Sequence, residues 1–293
     1  MRSHAEHLAG LDAVRAATEL LRRVRRAHPT KGLFEAGDVQ WRWRMERSTD
    51  LLPQLFWFDD ALRPVAAAIV TDWGGTVGFD PIVLPDAPAA WVAEVVDRGL
   101  AHAAAAGFGT VELEVDRADA AMREALADRR FEIAGDGVVE AWLAAGERPP
   151  ISPLPDGYRL ADRAGSATSP HHMVGRSGPA VEARLRQTSL YRPELDLVVL
   201  AADGSVAAYG LCWLDPATAT GLVEPMRTED GHQQQGLARH VLTTGLHRLA
   251  AAGATRIKIC FEQGNPASSH LYLSTGFRSI TQTDRWSGPT RTS

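Results

Sequence analysis

The chain repeats itself, and that repeat halves the folding problem. A shift of 146 positions lays Gly107 on Gly253, the run Thr110-Val111-Glu112-Leu113-Glu114 on Arg256-Ile257-Lys258-Ile259-Cys260, and Arg130-Phe131 on Gly276-Phe277. Further upstream, a shift of about 141 sets Val65-Ala66-Ala67-Ala68 on Val206-Ala207-Ala208-Tyr209, and small loop insertions produce that much drift. A proline-rich stretch, ERPPISPLPDG from Glu147 to Gly157, separates the copies and reads as a linker. The 293 residues therefore divide into 1–148 and 149–293, each long enough to bury a core of its own.

The second copy carries the chemistry. From about Gly236 to Ala252, Leu237, Val241, Leu242, Leu246 and Leu249 recur on one face of a helix that Gly253 stops. The loop GHQQQGLA, Gly231 to Ala238, opens it. The first amides of a helix have no intrahelical partner and the macrodipole is positive there, so this end can cradle a pyrophosphate. Gly236 allows close approach because it has no side chain. On its own such a loop reads equally as an ordinary cap. A strand follows, Arg256 to Glu262, with Ile257, Ile259 and Phe261 on one face, and then Asn265-Pro266 supplies the cap and first position of a second helix. That helix carries Leu271 and Tyr272 and ends at Gly276-Phe277. Further strands are expected near 197–202, 206–214, 220–226 and 277–283, and, in the first copy, a helix over 89–106.

This order closely resembles the GNAT superfamily of acyl-CoA-dependent N-acyltransferases, whose signature is Gln or Arg, two residues, Gly, one residue, then Gly or Ala at a helix start. Gln233-Gln234-Gln235-Gly236-Leu237-Ala238 fits it, and the run Asn265, Ala267, Leu271-Tyr272, Gly276-Phe277 is similar to the superfamily's later pattern. The resemblance covers about residues 150 to 293. It implies an α+β fold of α/β/α layers, with two GNAT-like domains in tandem, each a mixed, mainly antiparallel sheet flanked by helices. The strands before and after the Gly-loop helix would splay apart, and the pantetheine arm of acetyl-CoA would enter between them. The implied activity is transfer of an acetyl group from acetyl-CoA to a primary amine of a small molecule, by direct attack in a ternary complex.

Such a transfer needs an oriented thioester, an unprotonated amine and a proton for the departing thiolate. By resemblance, Gln233, Gln234, Gln235, Gly236, Leu237 and Ala238 hold the pyrophosphate, and the N–H of Met226 or Arg227 polarises the acyl carbonyl; Pro225 has no N–H to give. Tyr272 is the implied acid, with core packing as its other reading. Glu224 is the candidate base, acting directly or through water, or else the partner of an arginine, and Asp215 is the reserve. Asn265 either bonds the pantetheine amides or caps its helix.

In the first copy the loop matching Gln233–Ala238 is Ala87-Pro88-Ala89-Ala90-Trp91-Val92, and Leu126 stands where Tyr272 does. That copy reads as catalytically silent, there to shape the acceptor side. Trp41, Trp43, Phe56, Trp57 and Phe58 read as its core or an inter-domain face. Other readings are an acyl-CoA-sensing module without turnover, a transferase for larger acyl groups, and thiol biosynthesis, since the two-domain plan also resembles mycothiol synthase and is shared by many bacterial proteins.

A net charge of -5 and a pI near 6.1 give no general attraction for nucleic acid or anionic membrane. Arg22-Arg23 and Arg25-Arg26 are local exceptions expected on a solvated helix face. The opening segment, with Glu6, Asp12 and Glu19, reads as neither a signal nor a transit peptide. Two cysteines, Cys212 and Cys260, in strand-like segments fit a reducing cytoplasm and no disulfide framework. The pair His171-His172 reads as a surface or pocket-rim loop, and no metal is expected. The chain is expected to act as a monomer or homodimer.

Overall fold

The computed structural model describes residues 3–165 and 170–291. The N-terminal half runs β1 (His4–Leu8), α1 (Gly10–Ala27), α2 (Ala36–Arg42), β2 (Gln54–Phe58), β3 (Pro64–Asp72), β4 (Val77–Val83), α3 (Ala89–Ala105), β5 (Thr110–Asp116), α4 (Ala120–Ala127) and β6 (Glu132–Ala144). The C-terminal half repeats that order as β7 (Tyr158–Asp162), α5 (Val174–Ser177), α6 (Val181–Leu185), β8 (Asp196–Ala201), β9 (Val206–Asp215), β10 (Thr220–Thr228), α7 (Leu237–Ala251), β11 (Arg256–Glu262), α8 (Pro266–Leu273) and β12 (Arg278–Pro289). The duplication extends to the helix ends. Gly107 and Gly253 stand at φ 93 and 107, and the next residue's N–H reaches back to Ala103 O at 3.1 Å in one copy and to Leu249 O at 3.0 Å in the other. Both bonds are the six-to-one closure of a Schellman cap.

All twelve strands form one sheet in the order β1-β2-β3-β4-β5-β12-β6-β11-β10-β9-β8-β7. Only β4–β5 and β10–β11 are parallel pairs. Helices cover both faces, giving the expected α/β/α layers. α3 and α4, then α7 and α8, bury the alternating apolar residues of one face, while α1, α2, α5 and α6 cover the other.

The order contains an exchange. β6 pairs antiparallel with β11, Val138–Ala144 against Arg256–Glu262, while β12 pairs with β5, Thr283–Pro289 against Thr110–Asp116. Each half's last strand thus completes the other half's sheet. β12 runs past the expected end at residue 283 to Pro289 because its first part lies on β6 and its second on β5.

Charge is buried along this seam. Lys258 of β11, fully enclosed, pairs with Glu140 of β6 at 2.5 Å and donates to Leu33 O at 2.6 Å. Glu35, the N-cap of α2, is paired with Arg25 of α1. Arg22, Arg23 and Arg25 therefore do not lie on a solvated face, while Arg26 does. Arg25 is buried, and Arg22 crosses to Asp215 of β9 at 3.0 Å. Sequence periodicity missed this because their partners come from loops and strands far along the chain, some in the other half.

Residues 149–293 expressed alone lose β6 and leave the β11 edge, with its apolar Ile257, Ile259 and Phe261, unpaired. The expected outcome is an insoluble fragment or one without a cooperative thermal transition, whereas the whole chain melts cooperatively. A soluble, sharply melting 149–293 would show that the exchanged strand is dispensable.

Candidate active site

The site forms where β10 and β11 part. They pair in parallel from Thr220↔Arg256 to Val223↔Ile259 and no further, while β10 continues on β9 to Thr228 and β11 continues on β6 to Glu262. The register of β10 against β9 shifts between Val223 and Met226, which turns Glu224 and Pro225 out of the ladder. The splay expected from the sequence is thus present, with Glu224 at its fork.

Glu224 faces the N-terminal half. Gly37 of α2 lies so close to β9 and β10 that a Cβ there would meet Trp213 Cβ at 2.9 Å and Leu222 Cδ2 at 3.0 Å. This glycine is required by close approach, and it seats the rest of α2 over the fork. Trp213 Nε1 donates to Glu224 O at 2.7 Å, and the Trp41 side chain stands near the Glu224 carboxyl and favours its ionised form. Burial pushes Glu224 up to about 7, with Asp38 of α2 adding to the shift and Arg44 opposing it. A carboxyl poised there can take a proton near neutral pH. Asp215 cannot share the role: Arg22 holds it, and it pairs with Thr220, four residues or about 13 Å along β10 from Glu224.

Tyr272 approaches the fork from the opposite side. It is 6% exposed and packs on Phe261, ring centroids 5.6 Å apart, and on Phe277 at 6.4 Å. Its hydroxyl makes no hydrogen bond to any described residue. Burial raises its pKa above the usual phenol range, and the carboxylate of Glu224 and the thiol of Cys260 raise it further, so the proton stays on the oxygen. Both readings of Tyr272 hold at once: the ring packs, and the hydroxyl is available.

The phosphate loop is built from left-handed turns. Gln234 has φ 60, and Gly236, the N-cap of α7, has φ 81 and ψ 0. A Cβ on Gly236 would meet nothing within 4 Å, so the space at the helix mouth is open. Tyr158 of β7 ties the loop down, donating to Gln235 Oε1 at 2.8 Å and meeting His232 Nδ1 at 2.9 Å. Gln233 Nε2 donates to Asp230 at 3.3 Å, and the Leu237 side chain is buried, leaving its backbone to the mouth. Arg227 pairs with Glu229 and Asp230 at the rim. Met226 packs beside Gly210. Asn265 accepts from Ser268 N at 3.1 Å, which makes it the cap of α8.

In the N-terminal copy, β4 and β5 pair only at Gly78↔Glu112, and a cavity of about 330 Å³ lies between them, walled by Phe79, Val92, Leu113 and Met122. Its left-handed loop residue is Asp86, at φ 66 and paired with Lys31. A carboxylate at that mouth repels a pyrophosphate.

His171 and His172 are not at a rim. Both are withdrawn from solvent on Asp196: His171 Nε2 at 2.9 Å, His172 Nε2 at 3.1 Å, with Tyr191 OH donating at 2.9 Å. These hydrogen bonds hold Asp196 down at about 2 despite its burial. The three groups could in principle surround an ion. His171 Nδ1, however, accepts from Met173 N at 3.2 Å, so its proton sits on Nε2, the nitrogen an ion would need. The cluster reads as a hydrogen-bond network that pins the α5 loop.

A sequence model of the Acetyltransferase (GNAT) family matches residues 164–277. Residues 164–277 thus hold the GNAT-family domain of an acyltransferase. No curated protein matches it in sequence. Its fold is shared by a tandem GNAT protein from the clavulanic acid biosynthesis pathway, at a TM-score of 0.71 and 14% identity, with 100% of both chains covered. A GCN5-related N-acetyltransferase from Sphaerobacter thermophilus (TM-score 0.63, 16% identity, 99% of this chain and 96% of that one) and a GNAT-family acetyltransferase from Colwellia psychrerythraea (0.60, 14%, 97% and 99%) are also similar. The likeness spans both halves, so the GNAT fold is used twice. Among the described residues no helix is long and apolar enough to cross a membrane.

The residue that sequence reading missed is Asp38; Trp41, read as core or an inter-domain face, acquires its neighbour Glu224 only in the fold, because that residue lies in the other half.

The Glu224 assignment has a consequence for stability. The native state keeps the proton up to about pH 7, whereas the unfolded chain releases it near 4.5. Stability linked to that proton is complete below the unfolded value and is lost as pH rises through the folded one. Glu224→Gln keeps the neutral form at every pH, so its Tm relative to the parent should climb between pH 5 and 8. A difference that stays flat over that range would count against a buried, proton-holding Glu224.

Proposed function

We propose that residues 149–293 form a catalytic domain that transfers an acetyl group from acetyl-CoA to a primary amine of a small-molecule acceptor, by direct attack in a ternary complex. Residues 1–148 are the degenerate copy, supplying α2 as one wall of the acceptor site. The observation that carries this reading is the meeting of Glu224 and Tyr272 at the fork of β10 and β11, beside an open left-handed glycine loop.

Each residue then has a step. Backbone N–H groups of Gln233 to Ala238 hold the pyrophosphate at the positive end of α7. Asn265 can offer its amide N–H₂ to the pantetheine arm while its oxygen caps α8. Glu224 takes the proton from the ammonium, directly or through water, and the amine nitrogen attacks the thioester carbon. The N–H of Met226 or Arg227 stabilises the oxyanion that forms. As the carbon–sulfur bond breaks, the Tyr272 hydroxyl protonates the leaving thiolate, its raised pKa keeping that proton in place until then, and the second proton shed by the attacking nitrogen passes through water to restore the phenol. The two free cysteines fit a cytoplasmic protein.

Calorimetry should find one equivalent of acetyl-CoA per chain. Gly236→Glu should abolish binding, by closing the open space and adding negative charge, while Ala90→Glu at the matching position of the N-terminal copy leaves it intact. Equal losses would assign coenzyme binding to both halves.

Turnover tests the acid and the base separately. Tyr272→Phe should keep acetyl-CoA affinity within a few fold and lower kcat by about 10²–10⁴, read as thiol release. For the parent, kcat/KM should rise with pH through about 7, since Glu224 must be ionised to accept a proton, and Glu224→Gln should flatten that limb. An unchanged limb in Glu224→Gln would remove Glu224 from the mechanism.

A further inference from the structure

Several arginines withdrawn from solvent in this protein meet carboxylates. Asp215 holds Arg22, Glu35 holds Arg25, Asp80 holds Arg42 and Asp50 holds Arg184. Arg44, two residues beyond α2, is partly buried and pairs with no carboxylate among the described residues. Its guanidinium lies 3.6 Å from the centroid of the Trp41 ring. Nε donates to Ser177 Oγ at 3.3 Å and Nη1 to Trp41 O at 3.2 Å, and Nη2 has no partner among the described residues. Of its charged neighbours, Arg47 opposes its charge and Glu224 favours it. The Tyr209 hydroxyl likewise makes no hydrogen bond to any described residue.

Trp41 stands between this cation and the proposed base, because its ring carries Arg44 while its side chain lies near Glu224. A partly desolvated guanidinium with free donors is a site for an anion to arrive at. At the Glu224 end the field is negative, with Asp38 beside it. The wall that α2 presents is therefore dipolar.

We propose that Arg44 receives an oxyanion of the acceptor, so that the acceptor is an amine that also carries a carboxylate or phosphate, with its amine at Glu224 and its anion on the free guanidinium donors. Tyr209 can add a hydroxyl to the same oxyanion. The N-terminal copy thereby sets acceptor specificity in the C-terminal domain. The inference rests on the acetyltransferase reading and narrows its substrate class.

Matched acceptor pairs test it: β-alanine against β-alaninamide, lysine against cadaverine, and O-phosphoethanolamine against ethanolamine, each with acetyl-CoA and thiol release as readout. At least one anionic member should exceed its neutral partner by about tenfold or more in kcat/KM, carried by KM, and which pair responds tells carboxylate from phosphate. In Arg44→Gln that preference should collapse to within about threefold through loss of the anionic member alone, with Arg44→Lys falling between. Acetyl-CoA affinity should be unchanged in both variants. Neutral members used as well as anionic ones, no pair turned over by a chain that binds acetyl-CoA, or Arg44→Gln lowering both members equally, as a structural role would, each overturns the proposal. A chain that binds no acetyl-CoA in calorimetry fails the acetyltransferase reading itself, and the two failures are seen in separate measurements.

Discussion

The structure depends on β6 lying between β11 and β12. Through that strand, and through the β5–β12 ladder beside it, the two halves share one hydrogen-bonded sheet. Backbone ladders tolerate no slippage when side chains alternate between two buried faces. Here one face of β6 carries Val139, Ala141 and Leu143 toward α7 and α8, and the other carries Glu140 and Trp142 toward Lys258 and Arg25. A one-residue slip would bury Glu140 in the apolar face and tear it from Lys258. The ion pair therefore acts as a register pin as much as a source of stability, which agrees with the modest net contribution expected of buried pairs.

That pinned seam brings α2 to the fork of β10 and β11. α1 and α2 pack across both halves, held by Arg25–Glu35, by Arg22–Asp215 and by Gln40, which donates to Ser189 Oγ at 3.0 Å and accepts from Leu190 N at 2.8 Å. Trp41 and Asp38 then stand over Glu224, and Arg44 follows on the chain. The raised pKa of Glu224 is thus a product of the duplication. A single GNAT-like domain with solvent over β9 and β10 would leave that carboxyl near its ordinary value.

The same constraint explains why the two copies could diverge. With its last strand exchanged and its helices packed on the C-terminal half, the N-terminal copy is tied into the fold by packing. Its loop could then lose glycine, take Asp86 and Pro88, and keep an open fork lined by apolar side chains without disturbing the C-terminal chemistry.

Much of this was legible in the chain of residues alone. Local periodicity and caps marked α7, β11 and α8 to within a residue or two, because Leu237, Val241 and Leu249, or Ile257 and Ile259, repeat at the periods of helix and strand, and because Gly253 and Asn265-Pro266 act within one turn. The tandem GNAT fold and the candidates Glu224, Tyr272 and Gly236 were readable for the same reason: short-range spacing carries them. Only the tertiary structure decided the strand exchange, the burial of Arg22 and Arg25, the network of His171, His172 and Asp196, and the company of Glu224. These are contacts between residues up to about 230 positions apart, such as Lys258 with Leu33. No local pattern encodes them, since a buried charge differs from a solvated one only by the partner that folding brings to it.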